Sequence, residues 1–273
     1  MKIVSTGRTL FSPENYERKK KMKKRRAIIW SAGIFAILVA LVIISRIGSL
    51  QISEIRTEGA KVISGEEIAR VAKETLSGSY LWLVPRSNAA IYPRGAVKSD
   101  LMREFPRVSS VSLSLEGANS LFVTVTERDP YELYCPELGA QCFFLDESGF
   151  IFDEAPDFSG VVYFIYTKDA PIENPKGNEF LPSEKFVPLA RFVERLPELG
   201  FEPVSLTLKD RDAELVMRSG ARMLFGAYGD LAFLHSNLEA FLNSPEIKSD
   251  KNFAKRVKSL DLRTENKVFW TLE

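Results

Sequence analysis

The chain has 273 residues, room for one large or two small domains, and its formal net charge at pH 7 is only +1. The charges are unevenly placed, because residues 1–26 hold ten basic and two acidic side chains while residues 47–273 hold 26 basic and 34 acidic ones. No aromatic or fold motif typical of nucleic-acid binding accompanies the basic run, so we expect no nucleic-acid partner.

An apolar segment follows the basic tail. Its nineteen residues from Ala27 to Ser45 carry no charge, and as a helix they span roughly 28 Å, close to the ~30 Å hydrocarbon core of a bilayer. A buried helix of a soluble domain would be expected to keep some polar face. We therefore predict one transmembrane helix over 27–46, with the plasma membrane as an expected partner.

The flanking charges predict the orientation of this helix. The run RKKKMKKRR (Arg18–Arg26) directly precedes the apolar segment and only Arg46 follows, so residues 1–26 are expected to form a cytoplasmic basic tail. The apolar run is longer than the core of a signal peptide, and no small-x-small cleavage pattern follows it. We expect an uncleaved single-pass anchor, with most of the chain outside the cytoplasm.

Residues 50–129 predict a compact α/β unit. Ile52, Ile55 and Val62 indicate a short strand with a turn at Gly59. Ser64 then opens a helix, because Ser64-Gly65-Glu66-Glu67 matches a capping box, and Gly78 ends that helix. The later elements are a loop with Pro85 and Pro93, a helix at 97–105 stopped by Pro106, and strands at 108–115 and 121–127. The order predicts a three-stranded sheet with two helices on one face.

The last of these strands runs into Glu127, Arg128, Asp129 and Pro130 before an alternating pattern resumes at Tyr131. Proline cannot donate to a strand ladder, so the strand is expected to end or to lie at an edge there. The break is either an ordinary hairpin or a seam between two domains. Glu127 and Arg128 are either solvated residues at a strand end or partners in a salt bridge at the seam, and neither is expected to be catalytic.

Two cysteines, Cys135 and Cys142, follow the break. An oxidising compartment outside the cytoplasm favours a disulfide between them, and the intervening PELGAQ contains a proline and a glycine suited to a hairpin loop. A metal site needs more ligands than two thiols without a neighbouring histidine. A structural disulfide is the prediction.

Residues 130–273 are rich in predicted strands. An apolar hairpin covers Cys142–Pro156, with its turn at 146–149 and a positive φ expected at Gly149. The other predicted elements are strands at 161–167, 201–208, 213–217, 257–263 and 267–272, helices at 186–199 and 231–244, and hairpins about Gly220 and Glu265-Asn266. The polar segment 171–182 is expected to be a surface excursion.

These features together resemble a known family. The order strand-helix-helix-strand-strand is similar to that of the POTRA domain, a small module of extracytoplasmic interaction and transport machinery. With a basic tail and a single span, it resembles the FtsQ/DivIB family of bacterial cell-division proteins. The POTRA unit of that family ends in V-x-V-x-E-R-x-P, which is matched here by Val123, Val125, Glu127, Arg128 and Pro130. The resemblance implies that the break is a seam.

The implied class is α+β: a single N-terminal transmembrane helix, a small POTRA-like domain over 50–129, and a strand-rich FtsQ-type β-domain with flanking helices over 130–273. The turn Asp146–Gly149, the stretch SGARMLFG and the triplet Asp261-Leu262-Arg263 also resemble the family. The segment 167–200 shows little resemblance, and the loop Gly78–Tyr92 is longer than the family pattern.

The triplet is followed by the apolar pattern KVFWTL. Alternation puts Phe269 and Thr271 on one face of a strand and Val268, Trp270 and Leu272 on the other. From the residues alone, this strand is either an open sheet edge or is buried on both faces. The resemblance implies that a membrane-anchored coiled-coil protein of the FtsB/FtsL (DivIC) type adds a strand here. The implied binding residues are Thr264, Lys267, Val268, Phe269, Trp270, Thr271 and Leu272.

The sequence offers little to an enzyme. His235, the only histidine, lies on a leucine-rich predicted helix, where an ordinary partly buried or surface residue is the expected role. The motifs S-x-x-K, G-x-S-x-G, H-E-x-x-H and the Walker glycine loop do not occur. Asp146 and Glu147 resemble an acid pair but lie in a predicted turn. We expect no catalytic residue, no metal and no cofactor.

Two functions follow as hypotheses. The first is a bitopic scaffold at the division septum, which links division proteins through the β-domain and binds others through the POTRA-like domain. The second is a POTRA-containing component of protein export or envelope assembly that binds client polypeptides. The triplet followed by a terminal strand favours the first, and an extracytoplasmic enzyme is a distant third.

Overall fold

The computed structural model describes residues 13–137, 139–160, 162–250, 252–264 and 267–272. Within these ranges the protein is of mixed α+β class, with one apolar N-terminal helix and a strand-rich region. The chain divides into two compact units. Unit 1 contains the chain up to Glu58, Val62–Asp100 and Ser112–Thr124, and unit 2 contains Gly59–Lys61, Leu101–Val111 and the chain from Val125 onward.

The N-terminal helix α1 extends over Pro13–Ser45. By length and composition it is the one helix among the described residues that is long and apolar enough to cross a membrane, and its apolar side chains are exposed. Except for Arg46, the predicted span 27–46 therefore lies inside a longer helix that ends at Ser45 and also contains the basic run. Lysine and arginine are good helix formers, so the basic run continues the helix.

Unit 1 holds β1, α2 and a small hairpin, and shares α3, β4 and β5 with unit 2. The elements are β1 (Glu54–Glu58), α2 (Gly65–Thr75), β2 (Ser79–Tyr80), β3 (Val84–Pro85), α3 (Arg94–Glu104), β4 (Val108–Glu116) and β5 (Ser120–Glu127). One three-stranded sheet has the order β1-β5-β4, and β1 runs parallel to β5 with Ile55 opposite Leu121. The hydroxyl of Ser64 caps α2 by accepting a hydrogen bond from the Glu66 amide at 3.3 Å.

The segment 78–92, predicted as a loop, contains the two-stranded hairpin β2–β3. The strands are only two residues long, and the sequence at the turn, Leu81-Trp82-Leu83, has none of the glycine, asparagine or proline that marks a turn. The hairpin is therefore a structural element that sequence patterns did not predict.

Unit 2 is built on a sheet of nine strands. The elements are β6 (Glu132–Tyr134), β7 (Phe143–Leu145), β8 (Ile151–Glu154), β9 (Ile165–Lys168), α4 (Ser183–Arg195), β10 (Pro203–Lys209), β11 (Asp212–Met217), β12 (Arg222–Gly226), α5 (Leu231–Leu242), α6 (Pro245–Lys248), α7 (Phe253–Arg256), β13 (Val257–Asp261) and β14 (Phe269–Leu272). The order is β14-β13-β12-β11-β10-β9-β6-β7-β8. The strand predicted at 161–167 thus begins later, at Ile165, and the hairpin predicted about Glu265-Asn266 lies outside the described residues.

The centre of this sheet is parallel. Strand β9 lies between β6 and β10 and is parallel to both, so that Ile165 is opposite Leu133 on one side and Ser205 on the other. Helix α4 buries Phe186, Leu189 and Phe192 in the core cluster of unit 2. From β6 the sheet extends by antiparallel pairs to β8 at one edge. From β10 it extends to β14 at the other edge, through antiparallel pairs except for the parallel pair of β12 and β13.

Candidate partner-binding surface

Strand β14 forms one edge of the nine-stranded sheet. It pairs antiparallel with β13, with Trp270 opposite Leu260 and Phe269 opposite Asp261. In the part of the chain that the structure describes, no strand lies along its other side. A sheet edge presents N–H and C=O groups that can pair with an added strand, and natural proteins commonly protect such edges with charges or prolines. Over Phe269–Leu272 the edge carries neither.

The side chains of β14 differ in burial according to the face on which they lie. The side chain of Phe269 is 57% exposed and its neighbour on the same face, Thr271, is exposed and lies 2.7 Å from the Ser259 hydroxyl. On the opposite face, Val268 and Leu272 pack against the core cluster. The strand is thus attached by one face and open on the other.

Trp270 has an intermediate position. Its indole meets the ring of Phe253 edge-on, with centroids 5.6 Å apart, yet 40% of the residue is exposed. Edge-to-face pairs of this kind stabilise a fold beyond the area they bury. Trp270 therefore fixes β14 to the body of unit 2 while part of its surface remains exposed.

A groove of about 610 Å³ lies between α5 and the segment that leads from β13 into β14, and its lining reaches Val268, the residue before β14. Its apolar wall includes Phe233, Leu234 and Phe241 of α5, and its other wall includes Leu262, Thr264 and Val268. Lys267 also lines it. Phe233 is 51% exposed. The sequence predicted α5 from its leucine spacing, but its relation to the terminal strand depends on tertiary packing.

The triplet Asp261-Leu262-Arg263 shapes the approach to β14. The Arg263 guanidinium donates to Asp261 at 2.6 Å and to Asp212 at 3.1 Å, while Leu262 is buried and its amide donates to the Leu224 carbonyl at 2.8 Å. The hydrogen bond from Arg263 holds the pKa of Asp261 below its ordinary value. The triplet therefore fixes the chain where it leaves β13, through the ion pairs of Arg263 and the burial of Leu262.

The residues of the predicted seam lie within unit 2. Glu127 is buried, with only 3% of its side chain exposed, and its carboxylate accepts a hydrogen bond from the Lys61 amide at 2.8 Å. Arg107 lies 4.0 Å away and donates to Asp153 at 2.9 Å. The alternative of a solvated Glu127 at a strand end does not describe this arrangement.

Arg128 is also enclosed. Its guanidinium pairs with Asp146 and donates to the Pro106 carbonyl at 3.1 Å, and its carbon centre lies 4.2 Å from the ring centroid of Phe150. The next residues, including Pro130, are exposed and connect β5 to β6. Arg128 thus links the turn before β4 to the β7–β8 hairpin, 18 residues further along the chain.

Asp146 is the centre of that hairpin turn. Its carboxylate accepts from the amides of Ser148 and Phe150 at 2.9 and 3.0 Å as well as from Arg128. Burial alone would raise the pKa of Asp146, but the hydrogen bonds from Ser148 and Phe150, together with the Arg128 ion pair, bring it below its ordinary value. The Asp146 carboxylate, one member of the apparent acid pair, thus holds the turn together through its hydrogen bonds.

Cys135 and Cys142 are joined by a disulfide. Cys135 follows β6 and Cys142 precedes β7, and these strands pair with Tyr134 opposite Phe143. The bond closes the loop between the two strands. Cys135 is buried with Phe152 in a small apolar cluster, which gives the disulfide a structural setting.

His235 is buried in α5, edge-on to Phe192 at 6.5 Å between centroids. Its location in the packed interior agrees with a core residue more than with a surface one. The edge strand β14 and the groove beside α5 form the candidate partner-binding surface. No protein-family model and no curated protein matches this chain.

Proposed function

We propose that the protein is a non-enzymatic, single-pass membrane scaffold of the bacterial division machinery, which links division proteins through contacts outside the cytoplasm. The observation that carries the proposal is the edge strand β14, because it combines a backbone edge along which no described strand pairs with an exposed aromatic residue, Phe269. A partner strand gains backbone hydrogen bonds at such an edge, while side-chain pockets beside it provide selectivity. The groove against α5 is a pocket of this kind.

The apolar helix supports the anchor. Ala27–Ser45 is charge-free and lies at the end of α1 that leads into the folded units, while the basic run lies at the other end. The excess of positive charge on one flank favours a cytoplasmic N-terminus and an extracytoplasmic bulk. A disulfide between Cys135 and Cys142 agrees with that side of the membrane, because disulfides persist in oxidising compartments.

The division assignment draws on the resemblance to FtsQ/DivIB proteins. The sheet order β1-β5-β4, with α2 and α3 preceding β4 and β5 in the chain, supports the POTRA-like part of that resemblance. The triplet before β14 supports the β-domain part. The proposed partner is a membrane-anchored coiled-coil protein of the FtsB/FtsL (DivIC) type, and the proposed location is the division septum. Other division proteins are proposed to bind the POTRA-like domain.

A second candidate function is a POTRA-containing component of protein export or envelope assembly. The exposed edge and the apolar groove favour it too, because an added strand of any client polypeptide would satisfy the same backbone groups. The two functions differ in the number of partners, since a scaffold binds a defined protein and a client-handling protein binds many.

The test is site-specific photocrosslinking in the native host. A photoreactive amino acid at Phe269 is expected to capture one small single-pass protein with a coiled-coil sequence, and a fluorescent fusion is expected to concentrate at division sites. The matched control is the same amino acid at Glu154, which is exposed on the opposite edge strand β8 and is expected to give no such adduct.

Other outcomes decide against the proposal in distinct ways. Many unrelated secreted chains captured at Phe269 would favour the export function. If no crosslinked adduct forms while the protein is folded and present at normal abundance, β14 is not the binding edge. Trp270→Asp is expected to abolish the specific adduct, and retention of the adduct after disruption of the whole 267–272 segment would contradict strand addition.

A further inference from the structure

The turn of the β2–β3 hairpin exposes three large apolar side chains in a row. Leu81, Trp82 and Leu83 are 82%, 87% and 51% exposed. The Leu83 amide donates to the Tyr80 carbonyl at 3.0 Å, which closes a β-turn with Leu81 and Trp82 at its centre. Isolated exposed apolar residues are ordinary on protein surfaces, but a contiguous apolar tip marks a contact surface.

The backbone of this turn is strained. Leu81 has φ +47° and Trp82 has φ +58°, both in the left-handed region. Positive φ at both central residues is characteristic of the type I′ turn, for which Asn-Gly is the favoured sequence. Bulky residues there cost free energy, and strain of this kind concentrates at functional positions. Leu81 and Trp82 do not improve the turn, so their side chains need another explanation.

The tip is attached to the end of the apolar helix. Arg46, the residue after α1, donates to the Trp82 carbonyl at 2.8 Å and to the Leu83 carbonyl at 3.0 Å. The Asn88 side chain, just after the hairpin, donates to the Ser45 carbonyl at 3.0 Å. All of these residues belong to unit 1. A single arginine side chain therefore separates the exposed tip from the point where the helix ends.

We propose that the Leu81–Trp82–Leu83 tip inserts into the interfacial region of the lipid leaflet from which α1 emerges, and so forms a second membrane contact of this chain. The inference rests on the proposed membrane anchor. If α1 spans the bilayer, Ser45 lies at the lipid–water boundary, and the hydrogen bonds of Arg46 hold the tip at nearly the same depth. Tryptophan is enriched at that boundary because its ring is amphipathic, and flanking leucines add apolar area.

The occupant proposed for this surface is lipid and not a protein, because of the attachment to α1. A bilayer that receives the helix is necessarily within reach of a tip bound to the last residues of that helix. In the bilayer, all three apolar side chains would leave water at once, and this transfer is favourable. The strained turn then points these apolar side chains into the lipid at the depth where α1 ends.

The three tryptophans of the chain provide the experiment. Trp30 lies within α1, Trp82 at the tip and Trp270 on β14. Full-length variants that keep one tryptophan each, with the other two changed to phenylalanine, are reconstituted into phosphatidylcholine–phosphatidylglycerol vesicles. These vesicles contain a lipid with a nitroxide either at the headgroup or deep in the acyl chain. We expect a several-fold loss of Trp82 fluorescence with the headgroup nitroxide and a smaller loss with the deep nitroxide.

The other two tryptophans separate the possible failures. Trp30 is expected to be quenched by nitroxide lipid, whereas Trp270 is expected to keep its fluorescence in the same vesicles. If Trp82 is quenched no more than Trp270 while Trp30 is quenched, the anchor stands and the tip inference is wrong. If Trp30 is unquenched in reconstituted protein, the proposed anchor fails and the inference fails with it.

A second variant tests the tip without removing the probe. Leu81→Asn in the Trp82-only protein replaces an 82% exposed leucine by a residue that favours the same turn, so the fold is not at risk. We expect Trp82 to become several-fold less quenched by the headgroup nitroxide. Unchanged quenching would contradict insertion of the tip as a unit.

Discussion

The guanidinium of Arg128 forms an ion pair with the carboxylate of Asp146, and both side chains are largely enclosed, at 18% and 13% exposure. The pair connects the residue that follows β5 with the turn of the β7–β8 hairpin. Removal of one partner from an enclosed pair leaves the other charge without compensation, which costs far more than the loss of an exposed pair. The E-R-x-P motif thus has a structural role that its charge alone does not reveal.

Arg128→Ala is expected to lower the free energy of unfolding by about 3 kcal/mol, because Asp146 would stay buried without its cation. Arg128→Lys is expected to cost less, since an ammonium keeps the charge but not the planar contacts with Pro106 and Phe150. Denaturant unfolding of the full chain in mild detergent measures both. The control is Arg191→Ala at an exposed position of α4. Equal effects of Arg128→Ala and Arg191→Ala would show that the ion pair does not support the fold.

Gly149 and Gly220 provide a matched pair for the cost of a side chain at positive φ. Their φ angles are +87° and +85°, but an added Cβ at Gly149 would lie 2.5 Å from the Phe186 ring, whereas nothing lies within 4 Å at Gly220. Gly220→Ala is expected to cost about 1 kcal/mol from the backbone alone. Gly149→Ala is expected to cost about 2 kcal/mol more, because the core must shift.

The comparison uses the same denaturant unfolding. If the two alanine variants unfold at the same denaturant concentration, the close approach of Gly149 to Phe186 does not exist in solution. A larger loss at Gly220 would contradict the assignment of its turn as open.

The raised pKa of Glu132 implies that the stability of the fold depends on pH. Burial raises the pKa of its carboxyl to about 7, although a hydrogen bond from the Phe164 amide opposes the shift, and Glu194 raises the pKa further. A carboxyl whose pKa is higher in the folded state than in the unfolded state binds more protons when folded. Stability is therefore lost as the pH rises from about 4.5 to about 7 and stays low above that range.

Glu132→Gln keeps an oxygen acceptor for the Phe164 amide and removes the charge. We expect this variant to be more stable than the parent by about 1–2 kcal/mol at pH 8, after allowance for partial exposure, and by less than about 1 kcal/mol at pH 5. Unfolding curves at the two pH values measure the difference. Glu173→Gln, on an exposed loop, is the control and should show no such change. A gain that is independent of pH would contradict the assignment.

Phe269 and Trp270 are neighbours with different expected roles. Trp270→Ala is expected to lower stability by about 1–2 kcal/mol, because the contact with Phe253 is lost and only part of the ring was exposed. Phe269→Ala is expected to change stability by less than about 0.5 kcal/mol but to reduce capture of the partner markedly. Unfolding curves and co-isolation of the captured protein measure the two effects. Full retention of the partner by Phe269→Ala would exclude this ring from the interface.

The turn of the β2–β3 hairpin predicts a gain from substitution. The double variant Leu81→Asn with Trp82→Gly places the residues that a type I′ turn favours at φ +47° and +58°. We expect the hairpin to become more stable by about 1–2 kcal/mol, seen as slower hydrogen exchange of the Leu83 amide. The amide of Phe105, which donates to Leu101 at 2.9 Å, serves as the reference. Faster exchange at Leu83 would show that the tip residues hold the turn together.

Local patterns predicted the longer helices α2 to α5 and the β7–β8 hairpin, but not the β2–β3 hairpin or the short helices α6 and α7. Helix α5 follows from leucine spacing, and the hairpin of β7 and β8 follows from two apolar runs about Asp146 and Gly149. The position of β9 between β6 and β10 could not be predicted, because parallel neighbours come from distant parts of the chain. The turn at Leu81 and Trp82 could not be predicted from the sequence, because neither residue favours positive φ.

The candidate surface likewise combines features that the local sequence predicts with features that depend on tertiary packing. The alternation of Phe269 and Trp270 along a strand is a property of sequence, but the edge position of β14 and the groove beside α5 depend on packing between elements far apart in the chain. The partner of Arg128 is likewise a tertiary fact, since nothing in the local sequence points to Asp146.

The hydrogen bonds of Ser45 and Arg46 have a mechanical consequence. They join the end of α1 to Asn88 and to the β2–β3 turn. The direction in which this turn faces is therefore coupled to the rotation of α1 about its own axis. Each residue of a helix turns it by about 100°, so one residue inserted into α1 would swing the tip around the helix axis by that angle. In the proposed membrane-anchored protein, the rotational position of α1 about its own axis would thereby determine the direction in which the β2–β3 turn faces.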